Sequence, residues 1–192
     1  MKFPLAVGTI LAFAVAGAGA LPAAAQPAQL IAAQSEISFT SRQMGVPVEG
    51  RFGQFAAQVA FDPRQPAAGR IAFTVALNSV AMGVSLIEAE VAKPAWFDTA
   101  KFPQARFESQ AIKPLGGGRF DVAGQLTLKG STRDIALPVT LTQTGGETRA
   151  SGSVIVKRLD FKIGEGEWAD TALVANDVIV KFKLVLTGVG PL

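Results

Sequence analysis

The sequence predicts an all-β fold of about eight antiparallel strands with one short helical crossover. Apolar and polar residues alternate with a period of two in segment after segment, which is typical of strands that bury one face. Gly-rich and Pro-containing turns separate these segments, and a single stretch carries a helix start signal. With 192 residues, 49% of them hydrophobic and 17% charged, the chain is apolar enough to bury one substantial core.

The first 25 residues predict a secretory signal peptide. Lys2 precedes an almost uncharged run, and two alanines of an A-x-A cleavage site stand immediately before Gln26. An uncleaved membrane anchor is the alternative, because the run approaches the ~20 residues that span a bilayer. Cleavage leaves residues 26–192 as one domain, and we expect this domain in the periplasm.

The strand candidates follow one another with turn residues between them. In the second candidate, Phe52 and Phe55 are three residues apart, which breaks the alternation beside Gly53 and predicts a bulge or sharp bend. Strands that are neighbours in the sequence are therefore expected to be neighbours in the sheet. The candidates are 36–41, 48–61, 71–77, 105–112, 119–129, 135–141, 149–157 and 178–186, with a ninth at 159–163.

The helical crossover is predicted to begin at Ser85. The Ser85 hydroxyl is the candidate N-cap, and Glu88, three residues later, is placed to reach back in a capping box. Pro94 ends the helix. The aromatic pairs that follow it lie in a connection too long for a hairpin, so we expect this segment to close one end of a barrel.

Periodicity alone leaves the arrangement of the strands open, because a closed barrel and two packed sheets both bury one face of each strand. The interior of an eight-stranded barrel is either filled by side chains or holds one small ligand. An outer-membrane barrel is not expected, because the chain has no Tyr and its Phe residues are spread along the strands instead of forming two belts.

The absence of His and Cys excludes thiolate and imidazole metal sites, a Cys nucleophile and a Ser-His-Asp relay. A net charge of +3 is too small for a nucleic-acid partner. Carboxylates crowd only at Glu165, Glu167 and Asp170, and their spacing fits no standard calcium loop. We expect a charged turn there, with Arg158 or Lys162 as partners of its acids, and neither a metal nor a catalytic residue.

An ordered set of motifs runs through the chain: SEISF at 35–39, GRFGQF at 50–55, FDP at 61–63, WFD at 96–98, KFP at 101–103, FES at 107–109, GQLTLKG at 124–130 and KRLDFKIG at 157–164. Together these motifs resemble the YceI-like family over nearly all of residues 26–192. The resemblance implies an exported, antiparallel, eight-stranded lipocalin-like barrel that encloses a long isoprenoid chain, such as a polyprenyl phosphate or a quinone tail.

The function implied by the resemblance is non-enzymatic binding of that lipid, which is carried, stored or sensed, with no cofactor required. Many relatives have a histidine after the first strand, where this chain reads Arg42-Gln43-Met44-Gly45, so a role that depends on an imidazole is absent here. A transient membrane contact and a homodimer stay open.

Flat, stiff aromatic rings suit the wall of a narrow tunnel for a branched unsaturated chain, although the same rings would also fill a solid core. A head group would need polar partners at the mouth. The candidates there are Arg42, Gln43 and Arg51, in or beside the loop that joins the first two strands, and Asn78 at the end of a later strand. The tail candidates are Phe39, Phe52, Phe61, Phe73, Trp96, Phe97, Phe102, Phe107, Phe120 and Phe182.

Two other functions compete with lipid binding. One is a carboxylate-dependent enzyme at Glu165, Glu167 and Asp170, in which two close acids divide acid and base roles. The other is an interaction module with a solid core that serves a membrane respiratory partner. A hollow interior would favour the lipid binder over this module.

Overall fold

The structure, a computed structural model, describes residues 27–192. The predicted signal peptide at residues 1–25 and its predicted cleavage site before Gln26 therefore lie outside the described residues. Within 27–192, no helix is long and apolar enough to cross a membrane.

Eleven strands and one α-helix make up the described chain, and two of the strands are only two residues long. The strands are β1 (Gln29–Leu30), β2 (Glu36–Gln43), β3 (Val46–Phe52), β4 (Phe55–Ala60), β5 (Arg70–Ala76), β6 (Val80–Ala81), β7 (Gln104–Gly116), β8 (Arg119–Leu128), β9 (Ser131–Thr144), β10 (Glu147–Lys157) and β11 (Asp177–Thr187). The helix α1 spans Ser85–Val91, and short 3-10 turns cover Ala32–Gln34, Pro66–Ala68, Leu77–Ser79, Arg158–Phe161 and Gly166–Ala169.

All strands pair antiparallel in one curled sheet, in the order β4-β5-β7-β8-β9-β10-β11-β2-β3-β6, with β1 added to β11. The amide of Ala28 donates to the Val59 carbonyl over 2.7 Å, so the segment at β1 links the β4 edge of the sheet to β11. The predicted all-β, lipocalin-like antiparallel fold is confirmed. The number of strands is slightly larger than the eight predicted.

Of the three strands beyond the eight predicted, two are the two-residue strands β1 and β6, and the third arises at the predicted bend. The single candidate 48–61 is two strands, β3 and β4, separated at Gly53 and Gln54. Ser79 satisfies the backbone there: its carbonyl accepts from the Gly53 amide and its Oγ accepts from the Gln54 amide, both over 3.0 Å. The ninth candidate, 159–163, is wrong, because the chain turns at Arg158–Phe161 and Lys162 takes a left-handed conformation with φ of 57°.

The direction of the strands defines two ends of the sheet. β2, β8 and β10 run toward one end, which carries the β2–β3 turn, the β8–β9 turn and the long β10–β11 connection. α1 belongs to this end, which we call the mouth end. The β7–β8 turn and the β9–β10 turn lie at the opposite end.

The predicted start of α1 at Ser85 is confirmed, but the predicted capping box is wrong. Val84 is the N-cap and the Ser85 hydroxyl makes no capping bond. The Glu88 carboxylate instead accepts hydrogen bonds from the amides of Met82 (2.7 Å) and Gly83 (3.0 Å). Glu88 therefore stabilises the turn before the helix and does not bond to the residue at which the helix begins. Downstream, the Ala95 carbonyl accepts from the amides of Gly164 and Glu165, which ties the crossover to the β10–β11 connection.

Arg158 organises the β10–β11 connection from inside. Its side chain is 2% exposed, and its five N–H donors are all used by backbone carbonyls of that connection, with no carboxylate partner. Burial lowers the pKa of the Arg158 guanidinium from its ordinary value. The expected pairing of Arg158 with the acids of the turn is therefore wrong. The acceptors are the carbonyls of Ile163, Gly164, Trp168, Val174 and Ala175.

We predict that Arg158→Met lowers the free energy of unfolding by about 3 kcal/mol or more, because each buried carbonyl left without a donor costs roughly 1–3 kcal/mol. Arg158→Lys should recover only part of the lost stability, since an ammonium has three donors and lacks the planar arrangement of five donors in a guanidinium. Arg149→Met, at an exposed position of β10, is the control. Urea unfolding measures all three variants, and equal losses for Arg158→Met and Arg149→Met would contradict the role of Arg158.

Candidate functional site: an apolar cavity inside the sheet

The curled sheet encloses a cavity of about 580 Å³. The inward rows that the sequence pattern predicted on four strands all line it. These rows are Ile71, Phe73, Val75 and Leu77 at β5, Phe120, Val122, Leu126 and Leu128 on β8, Ile135, Leu137, Val139 and Leu141 on β9, and Val178, Val180, Phe182, Leu184 and Leu186 on β11. The wall is thus continuous apolar surface contributed by neighbouring strands.

Glycines on the inward face leave room for large aromatic rings of the wall, because a glycine has no side chain. Gly50 stands directly opposite Phe39 across β2 and β3, and Gly152 directly opposite Phe182 across β10 and β11. A Cβ at Gly50 would collide with Phe39 Cζ, and one at Gly152 would collide with the Pro138 carbonyl oxygen and lie 2.5 Å from Phe182 Cζ. Each ring therefore covers the glycine across from it and lies along the wall, which leaves the centre of the barrel free.

The structure brings nine of the ten tail candidates to the cavity. Phe102 is the exception: its ring lies against Gly130 in the β8–β9 turn, and the Lys101 ammonium stands 5.2 Å from its centroid. Within the cavity, Phe39 and Phe52 form a pair with centroids 5.5 Å apart, and Phe97 continues the cluster from Phe52 at 6.2 Å. The nine that line the cavity are Phe39, Phe52, Phe61, Phe73, Trp96, Phe97, Phe107, Phe120 and Phe182.

Of the four head-group candidates, only Gln43 lines the cavity. Arg42 points to the outside of β2 and donates to the Gly45 carbonyl over 3.0 Å. Arg51 lies in a separate crevice on the outer surface, beside the break between β3 and β4. Asn78 lies in the turn after β5 and is not among the lining residues.

The charged groups at the cavity are all engaged with the protein. Arg158 lines it, but its donors are used by carbonyls, and the Arg106 Nε donates to Glu108 over 2.6 Å at the exposed surface. Glu90 lines the cavity from α1 and pairs with Lys93. The remaining polar side chains of the lining, apart from the indoles of the two tryptophans, are Ser41, Gln43 and Thr148.

The cavity opens at the mouth end. Among its lining residues the exposed ones are Gln43 on β2, Leu86 and Ile87 on α1, and Arg106 on β7. Sequence reasoning missed the contribution of α1, although adjacent leucine and isoleucine in a seven-residue helix that otherwise carries two acids was a visible signal. The β10–β11 connection adds Trp168, whose ring centroid is 5.6 Å from that of Trp96, and the buried Val174.

The three acids of the acidic turn do not line the cavity, although Trp168 of the same turn does. Glu165 pairs with the buried Lys129, whose ammonium stands 3.0 Å from the Glu165 carboxylate and also donates to the Lys162 carbonyl over 2.6 Å. Glu167 and Asp170 are exposed, and none of the three acids lines the cavity. In the part of the chain that the structure describes, no group of three such side chains is placed to hold a metal ion.

Comparison with known proteins identifies one matching family model and several similar proteins. A family model described as the YceI-like domain matches residues 29–186. A UPF0312 protein of Yersinia pestis (strain Pestoides F) is 32% identical over 136 residues, which are 66% of this chain and 69% of that protein. The crystal structure of Burkholderia cenocepacia BcnA has a TM-score of 0.80 and 42% sequence identity, covering 82% of this chain and 99% of that chain.

A structure of a polyisoprenoid binding domain from Saccharophagus degradans, implicated in plant cell wall breakdown, shares the fold, with a TM-score of 0.66 and 21% identity over 85% of this chain and 98% of that chain. The curled sheet and the cavity that it encloses define a lipocalin-like β protein. The chain belongs to the YceI-like family.

We predict that Gly50→Ala turns the Phe39 ring into the lumen, because the atoms nearest the new methyl group are all side-chain atoms of Phe39 and Met82. The expected cost is about 1–3 kcal/mol of stability, as for other overpacked sites. The affinity for a bound apolar ligand should fall, and Gly50→Ala/Phe39→Leu should restore it. Glu49→Ala, on the outward face of β3, is the control. Unchanged affinity in Gly50→Ala, measured by fluorescence titration with a prenyl ligand, would contradict this account of the lumen.

Proposed function

We propose that this protein binds a long isoprenoid lipid in the cavity, as a carrier, store or sensor and not as an enzyme. The observation that carries the proposal is the hollow apolar interior of about 580 Å³, which falls within the roughly 300–1,000 Å³ typical of small-molecule sites. A solid-core interaction module would need this space to be filled. Membership of the YceI-like family and the polyisoprenoid binding described for the Saccharophagus domain support the same ligand class.

The tail of such a lipid supplies the affinity. Apolar surface moved from water into an apolar site contributes about 25 cal/mol per Å², so a long prenyl chain gains most of its binding free energy from the wall alone. No cofactor is needed for this chemistry. The signal-like pattern of residues 1–25 supports a periplasmic location, where the protein would handle lipid outside the cytoplasmic membrane.

Filling the lumen should weaken binding. Ala150 is buried and lines the cavity, so we predict that Ala150→Trp lowers the affinity for a prenyl lipid by at least about tenfold, which is about 1.4 kcal/mol. Ala136→Trp places the same side chain on the exposed outer face of β9 and should leave binding unchanged. Thermal unfolding of both variants establishes that they remain folded.

Organic extraction followed by mass spectrometry provides the direct test of the parent protein. We expect a prenyl lipid in protein purified from its native host, and uptake of added prenyl lipid by delipidated protein. Protein that carries none and takes up none, or an Ala150→Trp variant that binds as well as Ala136→Trp, would overturn the proposed function.

The head group should be uncharged. The cations that line the cavity are Arg158 and Arg106, both engaged with protein groups, and the Glu90 carboxylate at the mouth end is paired with Lys93, so the lining offers no unengaged cation to an anionic head group. We therefore predict that a prenol or prenyl quinone binds at least about tenfold more tightly than a prenyl phosphate of the same tail length.

The variant Gln43→Lys tests this preference by adding a positive charge to the lining of the cavity. It adds an ammonium at the one head-group candidate that lines the cavity, and should narrow the difference between prenol and prenyl phosphate. Competition against a fluorescent prenyl probe measures both ligands. Tighter binding of the phosphate by the parent protein would contradict the preference.

A further inference from the structure

Six exposed apolar side chains surround the mouth of the cavity. Leu86 is 84% exposed, Met44 69% and Val46 64%, and Val84, Ile87 and Leu173 are also exposed. They come from three separate segments: the β2–β3 hairpin tip, the start of α1 and the β10–β11 connection. We call these six residues the collar. Soluble domains rarely leave such side chains together in water unless the surface has an interaction to make.

Contacts in the structure bring these segments to one opening. The Met44 amide donates to the Leu173 carbonyl over 2.8 Å, and Gln43 and Val174 form a β-bridge, so the hairpin tip lies against the β10–β11 connection. Leu86 and Ile87 line the same cavity as Gln43 and Val174. The collar is therefore continuous with the apolar wall of the cavity.

We propose that the collar inserts into the surface of a phospholipid bilayer. This inference rests on the proposed function, since an isoprenoid lipid resides in bilayers and must cross the rim of the cavity to enter it. With the collar in the acyl region, the tail would pass from bilayer to cavity wall without exposing its length to water. Direct extraction from a membrane thus requires an apolar rim, and this structure has one.

The charges around the collar favour an uncharged bilayer surface. The carboxylates of α1 are engaged, Glu88 with the amides of Met82 and Gly83 and Glu90 with Lys93. Arg42 donates to the Gly45 carbonyl at the hairpin tip. Because these charges are of both signs and are engaged with protein groups, binding should depend on apolar insertion and vary little with salt.

Cosedimentation with phosphatidylcholine vesicles tests the collar. We expect the parent protein to bind, and Met44→Glu/Val46→Glu to bind at least about tenfold less, because two carboxylates at the tip oppose insertion. The control is Leu115→Glu/Ile155→Glu. It replaces two apolar side chains outside the collar that are 56% and 57% exposed, one beside the β7–β8 turn and one in β10, and should bind as the parent does.

A second measurement separates this inference from the proposed function. Neither Met44 nor Val46 lines the cavity, so the double variant should still take up a fluorescent prenol from detergent solution while losing transfer from vesicles. Failure of the parent to take up prenol from detergent would overturn the proposed function. Normal uptake from detergent together with no vesicle binding by the parent, or equal binding by the two double variants, would overturn the collar alone.

Sedimentation velocity tests the alternative that the collar binds a second copy of the chain and not a bilayer. We expect the parent to remain monomeric at the concentrations used for vesicle binding. A parent dimer that Met44→Glu/Val46→Glu abolishes and Leu115→Glu/Ile155→Glu retains would overturn the bilayer proposal in favour of self-association through the collar.

Discussion

The placement of rings over glycines is the constraint on which the rest of the structure depends. Protein interiors normally pack as densely as organic crystals, so a curled sheet with many inward Phe residues would be expected to fill its own centre. Here Phe39 and Phe182 lie over Gly50 and Gly152 on the neighbouring strands, and Phe107 similarly covers Gly124. The rings add apolar area to the wall without adding bulk to the lumen, so one set of residues provides both the core and the site.

The polar and charged side chains at the mouth end are engaged with the protein. Arg158 holds the β10–β11 connection by donating to its carbonyls, Lys129 pairs with Glu165, and Glu88 stabilises the turn before α1. Each of these groups satisfies backbone or a neighbouring side chain. They shape the opening without offering an unengaged cation to the cavity, which is why the geometry favours recognition of a hydrocarbon tail over recognition of a charged head.

The alternating pattern predicted much of the wall, whereas the void was implied only by the family resemblance. A period of two identifies which residues of β5, β8, β9 and β11 face inward, because side chains alternate between the two faces of a strand. The same pattern describes a filled barrel equally well, and the difference lies in cross-strand pairs such as Phe39 with Gly50, which depend on register. The role of Arg158 was hidden for a similar reason, since its acceptors are backbone carbonyls of a folded loop and carry no side-chain signal.

The wall of the cavity and the segments at its mouth are held together by different numbers of hydrogen bonds. The wall is held by continuous antiparallel ladders, whereas the hairpin tip, α1 and the β10–β11 connection meet through isolated bonds such as that from Met44 to Leu173. Separation of these segments would widen the mouth without disturbing the strand pairing around the lumen. A bound tail would in turn stabilise the folded state by mass action, because only the folded chain encloses the cavity. A lipid that entered the cavity as we propose would therefore need rearrangement only where the apolar collar already meets the solvent.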